Sequence, residues 1–165
     1  MSAGYRFRQF VAALKASVGP EEKASLPEYL SPEEQRLFLA MEPQDQRHSL
    51  DVFHGLRRAG YEDRPLLQAA LLHDVGKAGV GLGVFQRVVI VLLKALWPRL
   101  LVTLASGNQR SWRYPFWVHR HHAGLGAQAL RQVGSSPAVI KLVLGHQSPS
   151  EDPLAQALWE VDGQN

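Results

Sequence analysis

Seven histidines, at positions 48, 54, 73, 119, 121, 122 and 146, and no cysteine bound the chemistry of this chain. Without a thiol there is no disulfide, no thiolate zinc site and no cysteine nucleophile, and the composition fits a reducing cytoplasm. The pair His73-Asp74 stands out by its surroundings. It follows the apolar run Ala69-Ala70-Leu71-Leu72 and precedes Val75-Gly76-Lys77. A carboxylate beside an imidazole at the end of a hydrophobic helix costs desolvation free energy unless a charge compensates it, and a divalent cation does so. Adjacent helix residues point about 100° apart, so an ion held by both sits against the helix end and takes its other ligands from elsewhere. His48 and Asp162 are the candidates. Two imidazoles and two carboxylates leave octahedral positions open for water and a substrate oxygen, as hydrolysis requires.

Other readings compete at several positions. Asp152 is a second acid near the C-terminal end, but Asp152-Pro153 reads as a helix cap. For His122 and His146, packing competes with ligation. His54 lies six residues past His48 and faces elsewhere on a helix, and His119 and His121 read as neighbours on a basic surface. Lys77 is either a point charge that steadies a substrate phosphate or a solvated turn residue.

The order His, His-Asp, Asp resembles the HD-domain superfamily of metal-dependent phosphohydrolases. Arg47-His48-Ser49-Leu50 resembles the family's first histidine motif. The run 69–77 resembles its central motif, and 157–162 resembles the helix that delivers the final aspartate. His122, before Ala123-Gly124-Leu125-Gly126-Ala127, and His146 resemble the further histidines of members that bind two metals. The resemblance spans about residues 43–162. It implies one divalent ion on His48, His73, Asp74 and Asp162, and a second metal position at His122 and His146. It also implies a catalytic role for Asp74, in ligating the ion and orienting water, and for Lys77, in offsetting phosphoryl charge. The residues do not choose among Mn, Mg, Fe, Co, Ni and Zn. The glycine-tyrosine-proline signature of cyclic-dinucleotide phosphodiesterases is absent after His146, where Gln147-Ser148-Pro149 stands.

Helix punctuation predicts the elements that position these groups. Phe7, Phe10, Val11 and Leu14 form one apolar face, and Gly19-Pro20 is read as the stop of that helix. Ser31-Pro32-Glu33-Glu34 is a capping box with proline at the first helical position. Further helices are expected from about 43 to 60 and from 63 to 76. An apolar helix over 84–104 should kink or break at Pro98. A polar loop follows at 106–113, and then come helices over 115–134, over 136–145 and from 152 onward. The expected fold is all-α, an HD-domain-like bundle of about seven helices with a single core. Residues 1–42 are read as a helical extension packed on that core and 43–165 as the HD domain. The N-terminus does not read as a signal peptide.

Charge is distributed unevenly. Residues 75–150 hold nine of the eighteen Lys and Arg residues and none of the fifteen acids. Such a block calls for an anionic partner, with a small phosphorylated substrate favoured, and it is expected to form a rim around the metal site. No nucleic-acid motif is present. The apolar segment 84–104, followed by Trp112, Tyr114, Phe116 and Trp117 among arginines, raises a membrane surface as a further partner. A core helix or a homodimer face is the favoured reading of that segment. The expected function is hydrolysis of a nucleotide or other phosphate ester by a metal-activated water. The alternative is a catalytically idle HD fold that binds metal or nucleotide, or scaffolds a partner, and that associates peripherally with a membrane.

Overall fold

A computed structural model describes residues 18–79, 88–90, 92, 93, 96–105 and 113–164. The expected helix around 7–14 lies outside these residues. Among the described residues the chain is helical and has no strand. The α-helices are α1 (Pro20–Tyr29), α2 (Pro32–Leu39), α3 (Pro43–Arg58), α4 (Arg64–Leu72), α5 (Pro98–Ala105), α6 (Tyr114–Gln132), α7 (Pro137–Gly145) and α8 (Pro153–Asp162). A 3₁₀ turn, Val75–Lys77, follows α4.

Each of these helices has a proline at its first or second position. There a missing N–H costs nothing and the fixed φ already suits a helix. The caps are side chains where the sequence offers them. Ser31 Oγ accepts from Glu34 N at 3.2 Å while Glu34 returns a carboxylate to Ser31 N at 2.9 Å. Asp63 caps α4 through Leu66 N at 2.9 Å, Ser136 caps α7 through Val139 N at 3.3 Å, and Asp152 caps α8 through Leu154 N at 3.1 Å. The cap reading of Asp152 therefore holds, and Lys141 also pairs with its carboxylate at 2.6 Å.

A helix starts at Pro20, where Gly19 is extended and its N–H donates to Glu22 at 3.0 Å; the preceding helix that Gly19-Pro20 is expected to end lies outside the described residues. One boundary differs from the sequence reading. The helix expected to run from 63 to 76 stops at Leu72, and the chain turns over His73 and Asp74 into the 3₁₀ turn.

The core is built around α4. Leu66, Leu67, Ala69, Ala70, Leu71 and Leu72 are all buried, and only Arg64, Pro65 and Gln68 reach the surface, so this helix is wrapped by its neighbours on most sides. Phe38 of α2, Leu56 of α3, Leu130 of α6, Val143 of α7 and Leu158 of α8 close over it. Leu26 and Leu30, in and just after α1, belong to the same core. Ile90, Leu93, Ala105 and Phe116 form a second, smaller cluster. No helix of the described residues is long and apolar enough to cross a membrane.

Candidate metal centre

Two helix interiors and three helix ends meet at one place. α3 brings His48, and the end of α4 brings His73 and, through the following turn, Asp74. α6 brings His122, the C-terminal cap of α7 is His146, and the last residue of α8 is Asp162. The turn at 73–74 breaks the 100° relation between neighbours, so both side chains reach the same space.

The approach of α6 to this turn depends on glycine. A Cβ at Gly76 would lie 2.0 Å from the His122 carbonyl oxygen and 2.6 Å from Gly126 N. No side chain fits between two backbones that close. Gly76 and Gly126 thus set the distance at which His122 faces Asp74.

Two ligand groups result, one of His48, His73 and Asp74 and one of Asp74, His122 and His146. Asp74 belongs to both. Its Oδ1 lies 3.2 Å from His122 Nε2, and its Oδ2 lies 2.6 Å from Lys77 Nζ and 3.7 Å from His73 Nε2. Asp162 Oδ1 accepts from His48 Nε2 at 2.7 Å and lies 3.4 Å from His73 Nε2. His73, Asp74, His122 and His146 are buried, whereas the His48 and Asp162 side chains keep about a quarter of their surface.

The three buried imidazoles share one design. Nδ1 of His73 donates to Ala70 O at 2.9 Å, that of His122 to His119 O at 2.7 Å, and that of His146 to Val143 O at 2.7 Å. A carbonyl can only accept, so each Nδ1 carries a proton and each Nε2 is turned into the site, where it can offer a lone pair only when it carries no proton. This backbone anchoring is what orients metal-binding histidines. The arrangement leaves two features that a cation would satisfy. His73 Nε2 is buried with no hydrogen-bond partner. The Nε2 atoms of His122 and His146 face each other at 3.1 Å, where two lone pairs repel unless a proton or a cation lies between them. The donor set therefore fits a divalent ion.

Electrostatics divide the site. Burial alone would lower the pKa of His73, but the carboxylates of Asp74 and Asp162 outweigh it and hold it up at about 9. Burial and the charge of His73 push His146 down to about 3, which keeps it neutral. Burial would raise Asp74, but Lys77 and His73 hold it well below the usual carboxylate range. His48 and His73 do the same for Asp162. Lys77 is lowered by burial, but Asp74 and then Asp45 more than restore it.

All seven expected residues converge: His48, His73, Asp74 and Asp162, with Lys77, His122 and His146. Three others were not singled out in the sequence. Asp45 is buried one turn before His48 on α3; the i, i+3 spacing to His48 was the available signal. Gln147 donates to His119 O at 3.3 Å and stands 3.3 Å from His122 Nδ1. Gly76 is the third, inside the recognised run. The expected basic rim is represented at the site by Lys77. Arg113 is instead tied to the Leu104 and Thr103 carbonyls, and Lys141 to Asp152. Arg87, Lys94 and Arg110 lie outside the described residues. His54 sits apart, 3.8 Å from Glu22, and His121 stacks on Trp117 at 4.5 Å.

A family model for the HD domain matches residues 46–162. The chain belongs to the HD-domain family. The match starts within the first turn of α3 and ends on Asp162, so it encloses every ligand described above. HD domains form a superfamily of metal-dependent phosphohydrolases that hold divalent ions, and this one carries the histidines and aspartates for such an ion. Neither the curated proteins nor the solved structures contain a significant match to the chain.

Proposed function

We propose that this HD domain hydrolyses a phosphate ester, a nucleotide or another phosphomonoester or diester, with His48, His73, Asp74 and Asp162 holding one divalent ion. Asp74, His122 and His146 offer a second position. The buried Nε2 of His73 carries the reading: it makes no hydrogen bond, its ring is anchored at Nδ1, and it points between the carboxylates of Asp74 and Asp162, a donor set that suits a divalent ion. An ion held there supplies an electrophile for phosphoryl oxygens and acidifies bound water.

The chain's own groups do the rest. Asp74, ionised and reached from both sides, positions ligands and accepts a hydrogen bond from the attacking water. Lys77, held beside Asp74, offsets negative charge on the phosphoryl oxygens. The exposed edge of His48 and Asp162 gives the substrate its approach. His48 and Asp162, hydrogen-bonded to each other here, would exchange that bond for bonds to an ion if both hold it.

Purified protein loaded with Mn²⁺ or a similar ion is expected to turn over part of a broad panel of nucleotides and model phosphoesters, and Asp74→Asn is expected to abolish that turnover. The second reading, an idle metal-binding fold, is favoured by the 2.6 Å Lys77–Asp74 pair, which also serves as a structural ion pair. Metal bound at full stoichiometry with no Asp74-dependent turnover would decide for it.

A further inference from the structure

The polypeptide around residues 88–105 is apolar on two sides. Its inner side, Ile90, Leu93 and Ala105, closes on Phe116 of α6. Its outer side presents Leu92, Leu96, Trp97, Leu100 and Val102, each 47–60 % exposed. Leu92, Leu96 and Leu100 recur at i, i+4 and i+8, so they share a face if the helical phase carries through the break at Trp97. This set contains five of the seven large hydrophobic side chains that stand exposed among the described residues. Single exposed leucines need no explanation, but a cluster marks an interaction surface.

Charge selects the partner. The patch lies inside the block 75–150, which has nine basic residues and no acid, while the fifteen acids all lie outside it. Arg99 is exposed among the leucines. Tyr114, Trp117 and His121 stack along the neighbouring face of α6, with ring centroids 6.0 and 4.5 Å apart. A symmetric homodimer through this face would set the same basic patch against itself, since a two-fold interface pairs identical surfaces. Leucines and an indole beside the exposed Arg99, in a stretch of sequence that carries no acid, are instead complementary to anionic headgroups over an acyl boundary.

We infer that the outer face of 88–105 docks this HD domain onto an anionic lipid surface, lying on the bilayer with Leu92, Leu96, Trp97 and Leu100 in the interface. The inference stands apart from the hydrolytic reading. The sequence reading favoured a core or dimer face for this segment; its inner side is core, and the inference concerns the outer side, which that core leaves exposed. Helix α6 joins the two regions: Phe116 anchors the apolar segment, and His122 lies six residues on, about 9 Å along the axis.

Co-sedimentation of the full chain with vesicles tests the inference. The protein is expected to pellet with equimolar phosphatidylcholine–phosphatidylglycerol and to remain in solution with phosphatidylcholine alone. Added salt should weaken the binding by at least about tenfold. The double variant Leu96→Glu/Leu100→Glu should weaken it as strongly. Both residues are exposed, so circular dichroism and metal content are expected to stay unchanged. Binding that is absent, equal on the two vesicles, or untouched by the double variant overturns the inference. So does a wild-type dimer in analytical ultracentrifugation that the double variant converts to monomer.

Discussion

His73 is the residue at which protons and metal compete. Its pKa, held up at about 9 by Asp74 and Asp162, keeps it protonated at neutral pH in metal-free protein. Binding through Nε2 needs the neutral ring, so an ion must displace that proton. Asp74 and Asp162 are held ionised and His146 is held neutral, so none of these three releases a proton. Calorimetric titration in buffers of different ionisation enthalpy should show about one proton released per ion at pH 7, and apparent affinity falling up to about tenfold per pH unit below pH 9. Release of no proton would mean that His73 either is neutral before the ion binds or is not a ligand, and metal content of His73→Ala separates the two. Asp74→Asn removes the charge shared by both groups. It is expected to lower metal affinity by more than the ~10–100-fold typical of losing a ligand's hydrogen-bond partner, read by metal analysis after dialysis.

At the scale of elements, the site depends on how closely the 3₁₀ turn and α6 approach. Gly76→Ala would place a Cβ 2.0 Å from a backbone oxygen, and neither backbone has a flexible end that can give way. The variant is expected to lose about 3 kcal/mol or more, at the upper end of overpacking costs. If it folds, His122 moves off Asp74 and metal affinity falls. Denaturant unfolding and metal retention measure the two effects separately. Ser31→Ala loses one half of a capping box far from the ligands and should cost about 1 kcal/mol with metal binding unchanged. The element pattern was legible where a cap and an apolar stripe coincide, as at 31–39, 43–58 and 137–145. At Gly19-Pro20 it was legible only in part, because glycine ends helices and proline begins them, and the dipeptide was read for its stop while α1 begins there. Helix α1 also has little apolar stripe and a proline inside it, so periodicity offered no second signal. The stop of α4 at Leu72 was hidden for a related reason. No glycine or proline stands between Leu72 and Gly76, and only the tertiary approach of α6 shows why the helix must end early.

At the scale of the whole molecule, the candidate ligands come from helices far apart in sequence; His48 and Asp162 are 114 residues apart yet hydrogen-bonded at 2.7 Å. The sequence made the identity of these residues legible through the run 69–77. Their convergence was not legible, because it depends on the largely buried α4 acting as the axis on which α3, α7 and α8 pack. A consequence follows for stability. An unfolded chain scatters the ligands, so an ion binds the folded state almost exclusively and stabilises it by mass action. At an ion concentration of about 100 times Kd this amounts to about 2.7 kcal/mol, or a rise in Tm of roughly 5–10 °C for a chain of this length. Chelation should reverse the rise. Asp162→Ala distinguishes a ligand from a structural partner of His48. Asp162 is the last residue of α8, and the buried side chains of that helix, Ala155, Ala157 and Leu158, are untouched by the change. If Asp162 holds the ion, the variant should keep the cooperativity of unfolding and lose most of the metal-dependent rise in Tm. If it only steadies His48, the variant should unfold at lower temperature with and without metal alike, and the rise should remain.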